Sequence, residues 1–253
     1  MPFHGQGVTG TKRAEVRRRG SYGIDAPRLL PVFALLVLAD VADGVFSRSA
    51  GPLVAAAIIL GLGGFGLYAS RRGKFVIWAG LLDRLELGGG ERILDIGCGR
   101  GAVLLMAAQH LTTGRAVGID LWKTSDQSGN AAEATRRNAV AEGVEGRVEL
   151  VTADMTTLPF SDASFDLVLS SLAIHNVRKG SGRGRVIEEA VRVLRPGGRL
   201  VIADLLATGE YREGLGALGM ANVARRRLGW RMWWSGPWLA TYLVTASKPA
   251  HAL

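Results

Sequence analysis

Hydrophobic and polar positions divide the chain into three stretches. Residues 1–27 are polar, contain Gly and Arg and have no apolar period, the pattern of a poorly ordered basic arm. Leu29 to Ala39 is then an unbroken apolar run, interrupted by Asp40 and Asp43, and residues 51–70 read GPLVAAAIILGLGGFGLYAS without a charge. A helix that crosses a bilayer needs about 20 apolar residues. The second run meets that length and the first approaches it, so residues 28–73 read as a helical hairpin with a short turn at 47–50. From Lys74 onward short apolar runs alternate with helical patterns, which predicts an α/β domain over 74–253: a doubly wound, mostly parallel, seven-stranded sheet covered by helices. Strands are expected at 92–96, 116–120, 148–152, 165–170 and 199–204, with helices at 101–110, 130–142 and 185–194. A closing β-hairpin is expected from 222–234 and 238–247 about a turn at 235–237.

Charge adds a direction to the hairpin. Of a formal +9, the part up to Lys74 holds ten Lys and Arg against four Asp and Glu, so most of the excess flanks the apolar runs. Arg17 to Arg19, Arg28, Arg71, Arg72 and Lys74 would lie on one side, the cytoplasmic one, with lone Arg48 outside and Asp40 and Asp43 near the outer interface. This distribution makes nucleic acid the weaker reading of the basic balance. Nearly thirty residues before the first apolar run, and a longer run after it, are the wrong arrangement for a cleaved signal. The competing expectation is a pair of apolar helices packed on the domain or against a second copy of the chain. One cysteine, Cys98, excludes an internal disulfide and a multi-thiolate metal site, and His4, His110 and His251 are too scattered for a metal cluster.

The sharpest motif is ILDIGCGRGAVLL, residues 93–105: an apolar strand, glycines at Gly97, Gly99 and Gly101, then a helix. Such glycines let backbone turn tightly and approach a ligand whose polar end meets free helix amides. Alone, the motif also fits a dinucleotide loop or a simple tight turn. Asp120 ends the next strand, 23 positions after Gly97, where a carboxylate can accept ribose hydroxyls. VTADMTTLPFSDASFDLVLSS then places Asp154 beyond the third strand, and LRPGGRLVIAD gives a Pro-Gly-Gly turn into the fifth.

In this order and spacing the motifs resemble those of class I S-adenosylmethionine-dependent methyltransferases, over roughly Lys74 to Pro249. The resemblance implies that Asp95 and the loop of Gly97, Cys98, Gly99 and Gly101 hold the methionine end of S-adenosyl-L-methionine. It implies that Asp120, followed by Leu121, takes the ribose, that Asp154 and Met155 border the adenine, and that Ser170 and Ser171 lie beside the sulfonium. LPFSDASFDLV and SLAIHNV are similar to the branch acting on quinones, sterols and other small or lipidic acceptors. The expected activity is therefore methyl transfer to a small hydrophobic or lipid-like acceptor by a membrane-associated domain facing the cytoplasm. A nicotinamide-dependent oxidoreductase and a nonenzymatic membrane scaffold of the same fold are the rivals.

Three details stay open on sequence alone. His175, after the fourth strand, is the candidate base for a hydroxyl or phenol acceptor, or it only hydrogen-bonds its own loop. The segment TSDQSGN, 124–130, either lines a pocket, with Trp122 stacking on a base, or caps the following helix through Ser128 and Asn130. ARRRLGWRMWWSGPW, 224–238, suits a membrane interface, base stacking or a flat acceptor, or packs its tryptophans into the core.

Overall fold

The computed structural model describes residues 18–177 and 181–250. Two long apolar helices come first, α1 (Leu29–Phe46) and α2 (Ala50–Tyr68), joined by the short turn that the sequence predicts. They pack on each other through small residues: a Cβ added at Gly44 would run into Leu53, and one at Gly63 would touch Phe33. At 1.5 Å per residue each is about 27 Å long, close to the thickness of a bilayer core of about 30 Å. Only 6% of either apolar window is buried, and side chains such as Leu35, Leu38 and Phe46 are exposed, so the pair does not pack on the domain along its length. Asp40 and Asp43 fall inside α1, six and three residues before its end.

From α2 the helix continues through one π-helical turn (Ala69–Gly73) into α3 (Lys74–Arg84). The expected boundary at 73/74 is thus crossed by unbroken helix, and α3 buries Phe75, Trp78, Leu81 and Leu82 in the domain. The arm is also tied down over its described part. Tyr22 is buried and its hydroxyl donates to Glu142, Ser21 N–H donates to Asn138, and Asp25 pairs as an isolated antiparallel bridge with Gln127.

The sheet runs in the order β3 (Val148–Thr152), β2 (Arg115–Asp120), β1 (Arg92–Ile96), β4 (Phe165–Ser171), β5 (Leu194–Asp204), β7 (Tyr242–Ser247), β6 (Ala221–Arg227). The first five are mutually parallel; β7 is antiparallel to β5 and to β6. Alternation along β1 explains the two cores, since Ile93 joins the layer beneath α3 and α4 (Ala102–Gln109) while Leu94 joins the opposite one. The opposite face carries α6 (Ser181–Val193) and α7 (Thr208–Ala217), and α5 (Ala132–Glu142) precedes β3. Helix α7 escapes sequence reading because its TGEYREGLGA holds three glycines, poor helix formers, and gains its helicity from burying Tyr211 and Leu215.

Two local expectations are corrected. The closing hairpin is not continuous: β6 ends at Arg227, and residues 228–241 make an excursion with short 3₁₀ turns at Trp230–Met232 and Pro237–Leu239 before β7. Gly229 and Gly236, both at positive φ, and Pro237 break the ladder there. The excursion packs against the foot of the helical hairpin, with Trp230 stacked on Tyr68, Trp233 tilted on Phe65 and the Trp234 carbonyl against Gly66. Trp238 is exposed. In segment 124–130, Ser128 and Asn130 do not cap α5, whose N-cap is Ala131 without a side-chain bond.

Candidate active site

Parallel strands carry their loops to one edge of the sheet, and in an open α/β fold the crevice forms where strand order reverses, between β1 and its neighbours. A cavity of about 560 Å³ lies there. Asp95, Gly97, Cys98, Gly99, Asp120, Leu121, Asp154, Met155 and Ser171 all line it, so the sequence motifs converge on one place. Gly101 and Ser170 do not. Gly101 turns the chain into α4 at φ 84°, and the Ser170 hydroxyl donates to the Ile96 carbonyl at 2.9 Å between strands.

The loop after β1 folds as it does because three glycines take left-handed backbone. At Gly97, φ is +73° and a Cβ would collide with the Cβ of Ala173, another lining residue. Beneath it, Asp95 is 1% exposed and its Oδ1 has no hydrogen-bond partner. Burial, reinforced by the nearby Asp120 charge, pushes its carboxyl up to about 7. An unsatisfied acceptor of this kind in a cavity wall can be met by a donor from a ligand or from water. Asp120 Oδ2 accepts from Gly99 N–H at 2.8 Å, while Oδ1 accepts from Trp122 N–H and the Asn130 amide, which ties the second strand to the glycine loop. Asp154 holds an Asx turn through Thr156 N–H and Oγ1, both at 2.8 Å, and those bonds lower its pKa. Cys98 is a buried thiol whose pKa burial raises well above the ordinary value, which suits a small loop residue and not a nucleophile.

His175 sits on the 3₁₀ turn Ile174–Asn176 and does not line the cavity, although Ala173, Asn176 and Val177 on either side do. Its Nδ1 lies 2.5 Å from Oδ1 of Asp204, a carboxylate with 0% exposure at the end of β5. Asp204 also accepts from His175 N–H and from the Tyr211 hydroxyl. In the neutral imidazole whose Nδ1–H donates to the Asp204 carboxylate, Nε2 is the acceptor nitrogen. Trp122 is tied through Nε1 to Thr152 Oγ1 and is outside the lining.

Of the two readings left open for 124–130, the pocket wall is the one seen, through Ser125, Asp126, Gln127 and Asn130. Gln127 accepts Arg100 N–H through Oε1 and donates to Asp25, which in turn binds Lys74 Nζ at 2.7 Å. Asp25 and Lys74, one on each side of the helical hairpin, both line the cavity. Trp78 donates to Ser171 Oγ at 2.9 Å. The Asp120 and Asn130 pairing was foreshadowed only by the odd polar run of 124–130; Asp25, Lys74 and Trp78 lie far away in sequence and carry no signal.

Residues 94–202 match the family described as Methyltransferase domain. Methyltransferase GfsG of Streptomyces halstedii is 39% identical over 51% of this chain and 43% of its own length. The sterol 4-C-methyltransferase strm-1 of Caenorhabditis elegans is 31% identical over 52% of this chain and 36% of its own length. The demethylmenaquinone methyltransferase of Clavibacter sepedonicus is 39% identical over 46% and 41%. The chain thus spans less than half the length of these curated relatives. Among solved structures, a SAM-dependent methyltransferase from Aquifex aeolicus superposes with a TM-score of 0.53 at 19% identity, covering 67% of this chain and 88% of that one, and shares the fold. Residues 94–202 are thus similar to the methyltransferase domain family, and the seven-stranded sheet in the order β3-β2-β1-β4-β5-β7-β6 is the fold of the solved methyltransferase that superposes on it.

Proposed function

We propose that the chain transfers a methyl group from S-adenosyl-L-methionine to a small hydrophobic or lipid-like acceptor at the cytoplasmic face of a membrane. The observation that carries the methyl-donor half is Asp95, a buried carboxylate with a free acceptor oxygen beneath a glycine cradle. It fits the cationic methionine end of the cofactor. Asp120 and Leu121 would hold the ribose, and Asp154 and Met155 the adenine. When bound, the cofactor supplies an already activated methyl group. The protein's part is then to align the acceptor, exclude water and, for a hydroxyl, remove a proton. His175 is suited to that last task, held by Asp204 in the tautomer that leaves Nε2 free, from a turn beside the cavity wall.

The acceptor half rests on two supports. Relatives at 31–39% identity are named for sterols and menaquinones as well as for GfsG. The apolar hairpin, long enough to span and almost wholly exposed, is anchored by residues that line the cavity, so an acceptor dissolved in the bilayer would be presented beside the donor. Arginines and tryptophans gathered at the hairpin foot suit the membrane surface.

Calorimetry on the full chain in a non-ionic detergent tests the first half, with S-adenosylmethionine, S-adenosylhomocysteine and NAD as ligands and Asp120→Ala as comparison. S-adenosyl binding weakened at least tenfold by the substitution supports the proposal; NAD binding without S-adenosyl binding defeats it. Transfer of a labelled methyl group into the lipid fraction of a membrane extract tests the second half, which fails if only water-soluble polar molecules are labelled.

A further inference from the structure

A second cavity, of about 620 Å³, lies at the foot of the helical hairpin, lined by Arg18 from the arm, Arg71 and Arg72 from the π-turn below α2, and Arg100 from the glycine loop. Among the described residues, no carboxylate lines it. Four arginines contribute to the wall of one hollow, and the flanking acids offset only part of that charge, Glu142 being the one whose charge favours the Arg18 cation. Asp25 accepts from Ser70, Lys74 and Gln127, and Glu142 Oε1 accepts from Arg19 N–H, Gly20 N–H and the Tyr22 hydroxyl. Among the described residues Arg18, Arg71 and Arg72 have no carboxylate partner within ion-pair distance. Arg18 instead lies over the Phe75 ring at 4.0 Å, and its burial and the charge of Arg72 lower its pKa. Arg100 spends one nitrogen on the Ser128 carbonyl, while its buried Nε has no partner.

We propose that this cavity is a binding site for the phosphate group of an anionic ligand at the membrane surface. Guanidinium forks match phosphate oxygens in pairs, and low local dielectric strengthens each contact. The hollow is far larger than one phosphate and opens where the apolar part of α2 ends, which fits a phospholipid headgroup; a free phosphate shares the same chemistry. Ser70 and Ser128 line this cavity, while their hydrogen-bonded or adjacent partners Asp25 and Gln127 line the cofactor cavity, so the two sites share a wall. The anion chemistry does not depend on methyl transfer; only the placement at a membrane rests on the hairpin reading.

The test is a titration of the full chain, in a non-ionic detergent, with dioctanoyl phosphatidylglycerol, with dioctanoylglycerol lacking the phosphate, and with inorganic phosphate. The site predicts binding of the phosphate-bearing lipid at least tenfold tighter than of dioctanoylglycerol. The double substitution Arg18→Gln, Arg72→Gln should weaken it at least tenfold, while Arg48→Gln, at the opposite end of the hairpin, should leave it unchanged. Retained S-adenosylmethionine binding by the double variant reports that it is folded; Arg72→Gln alone, with a smaller loss, serves if it is not. Inorganic phosphate that competes the lipid off at comparable affinity assigns the site to free phosphate, and lipid binding that phosphate does not displace assigns it to a headgroup. Equal binding of the lipid with and without its phosphate together with no phosphate binding, or equal losses in the double variant and in Arg48→Gln, overturns the proposal. Insertion of the hairpin is read independently, by protection of 29–68 from protease in vesicles, so failure of either idea leaves the other measurable.

Discussion

Replacing Asp95 with Asn separates what this carboxylate does for the fold from what it does for a ligand. Its carboxyl is raised from an ordinary 3.8 to about 7, chiefly by burial. A raised carboxyl favours the folded state when protonated: that contribution is complete below pH 4 and is lost as pH rises through about 7. Three pK units at 1.36 kcal/mol each set the penalty of the buried charge at pH 8 to at most about 4 kcal/mol. Asn removes the charge but brings an amide N–H pair that needs partners, which costs about 1–3 kcal/mol when unmet. The ligand-free Asp95→Asn chain should therefore be more stable than the parent at pH 8 by about 1–3 kcal/mol, and the advantage should vanish or reverse by pH 5. Chemical denaturation of both chains in one detergent at pH 5, 6.5 and 8 measures it. S-adenosylmethionine should show the opposite preference, binding the variant at least tenfold more weakly at pH 8, with parental affinity falling as pH drops below 7 and the carboxylate is lost. A stability difference independent of pH, or a variant that binds the cofactor as well as the parent, would refute this reasoning.

Gly97→Ala places a Cβ at φ +73° against Ala173, adding about 1–2 kcal/mol of backbone strain to a collision; calorimetry should show cofactor affinity reduced tenfold or more. For a hydroxyl acceptor, His175→Gln should lower kcat by about 100-fold or more with cofactor affinity unchanged, since a positioned base contributes that much; an unchanged kcat returns His175 to a loop-holding role. Lys74→Met leaves Asp25 without its partner at 2.7 Å, with Lys74 5% and Asp25 17% exposed, and should cost the lower end of roughly 3–5 kcal/mol in denaturation. Trp78→Phe deletes the bond to Ser171 and leaves a void where the larger fully buried ring was, so a loss of about 2 kcal/mol or more is expected by the same measurement.

What sequence could and could not announce follows from the range of each interaction. β1 and the start of β4 lie where apolar runs place them, because buried parallel strands write their burial into consecutive residues; β3, a half-exposed edge strand, is placed by its β-branched and apolar residues alone. Gly97, Asp120 and Asp154 were legible for a related reason, as a strand-to-loop transition concentrates its demands in two or three positions. Helix α7 was hidden because its glycines contradict its conformation, and only tertiary burial of Tyr211 overrides them. Asp204 was visible as a strand-end residue, but its bond to His175 spans 29 positions and depends on β5 lying beside β4. Asp25 with Gln127, 102 positions apart, has no periodicity to betray it.

Those long-range contacts also decide how the hairpin relates to the chemistry. A flexible tether would merely raise the local concentration of a lipidic acceptor. Here α2 runs without a break into α3, which carries Trp78 to Ser171 at the cavity wall, and Asp25 on the other side of the hairpin is locked to Lys74 and Gln127 in the same wall. Gly66 and Gly73 allow the helix backbone to lie directly against the carbonyls of Trp234 and Arg231, so the foot of the hairpin is packed as core and not as linker. A helix pair fixed in this way sets the angle and height of the cavity relative to any bilayer it enters. Lengthening the connection, by inserting a few glycines between Ser70 and Lys74, should then reduce turnover of a membrane-dissolved acceptor by more than it reduces turnover of a short-chain soluble acceptor by the same variant. Equal turnover by the parent and the lengthened chain would mean that the hairpin acts only as an anchor.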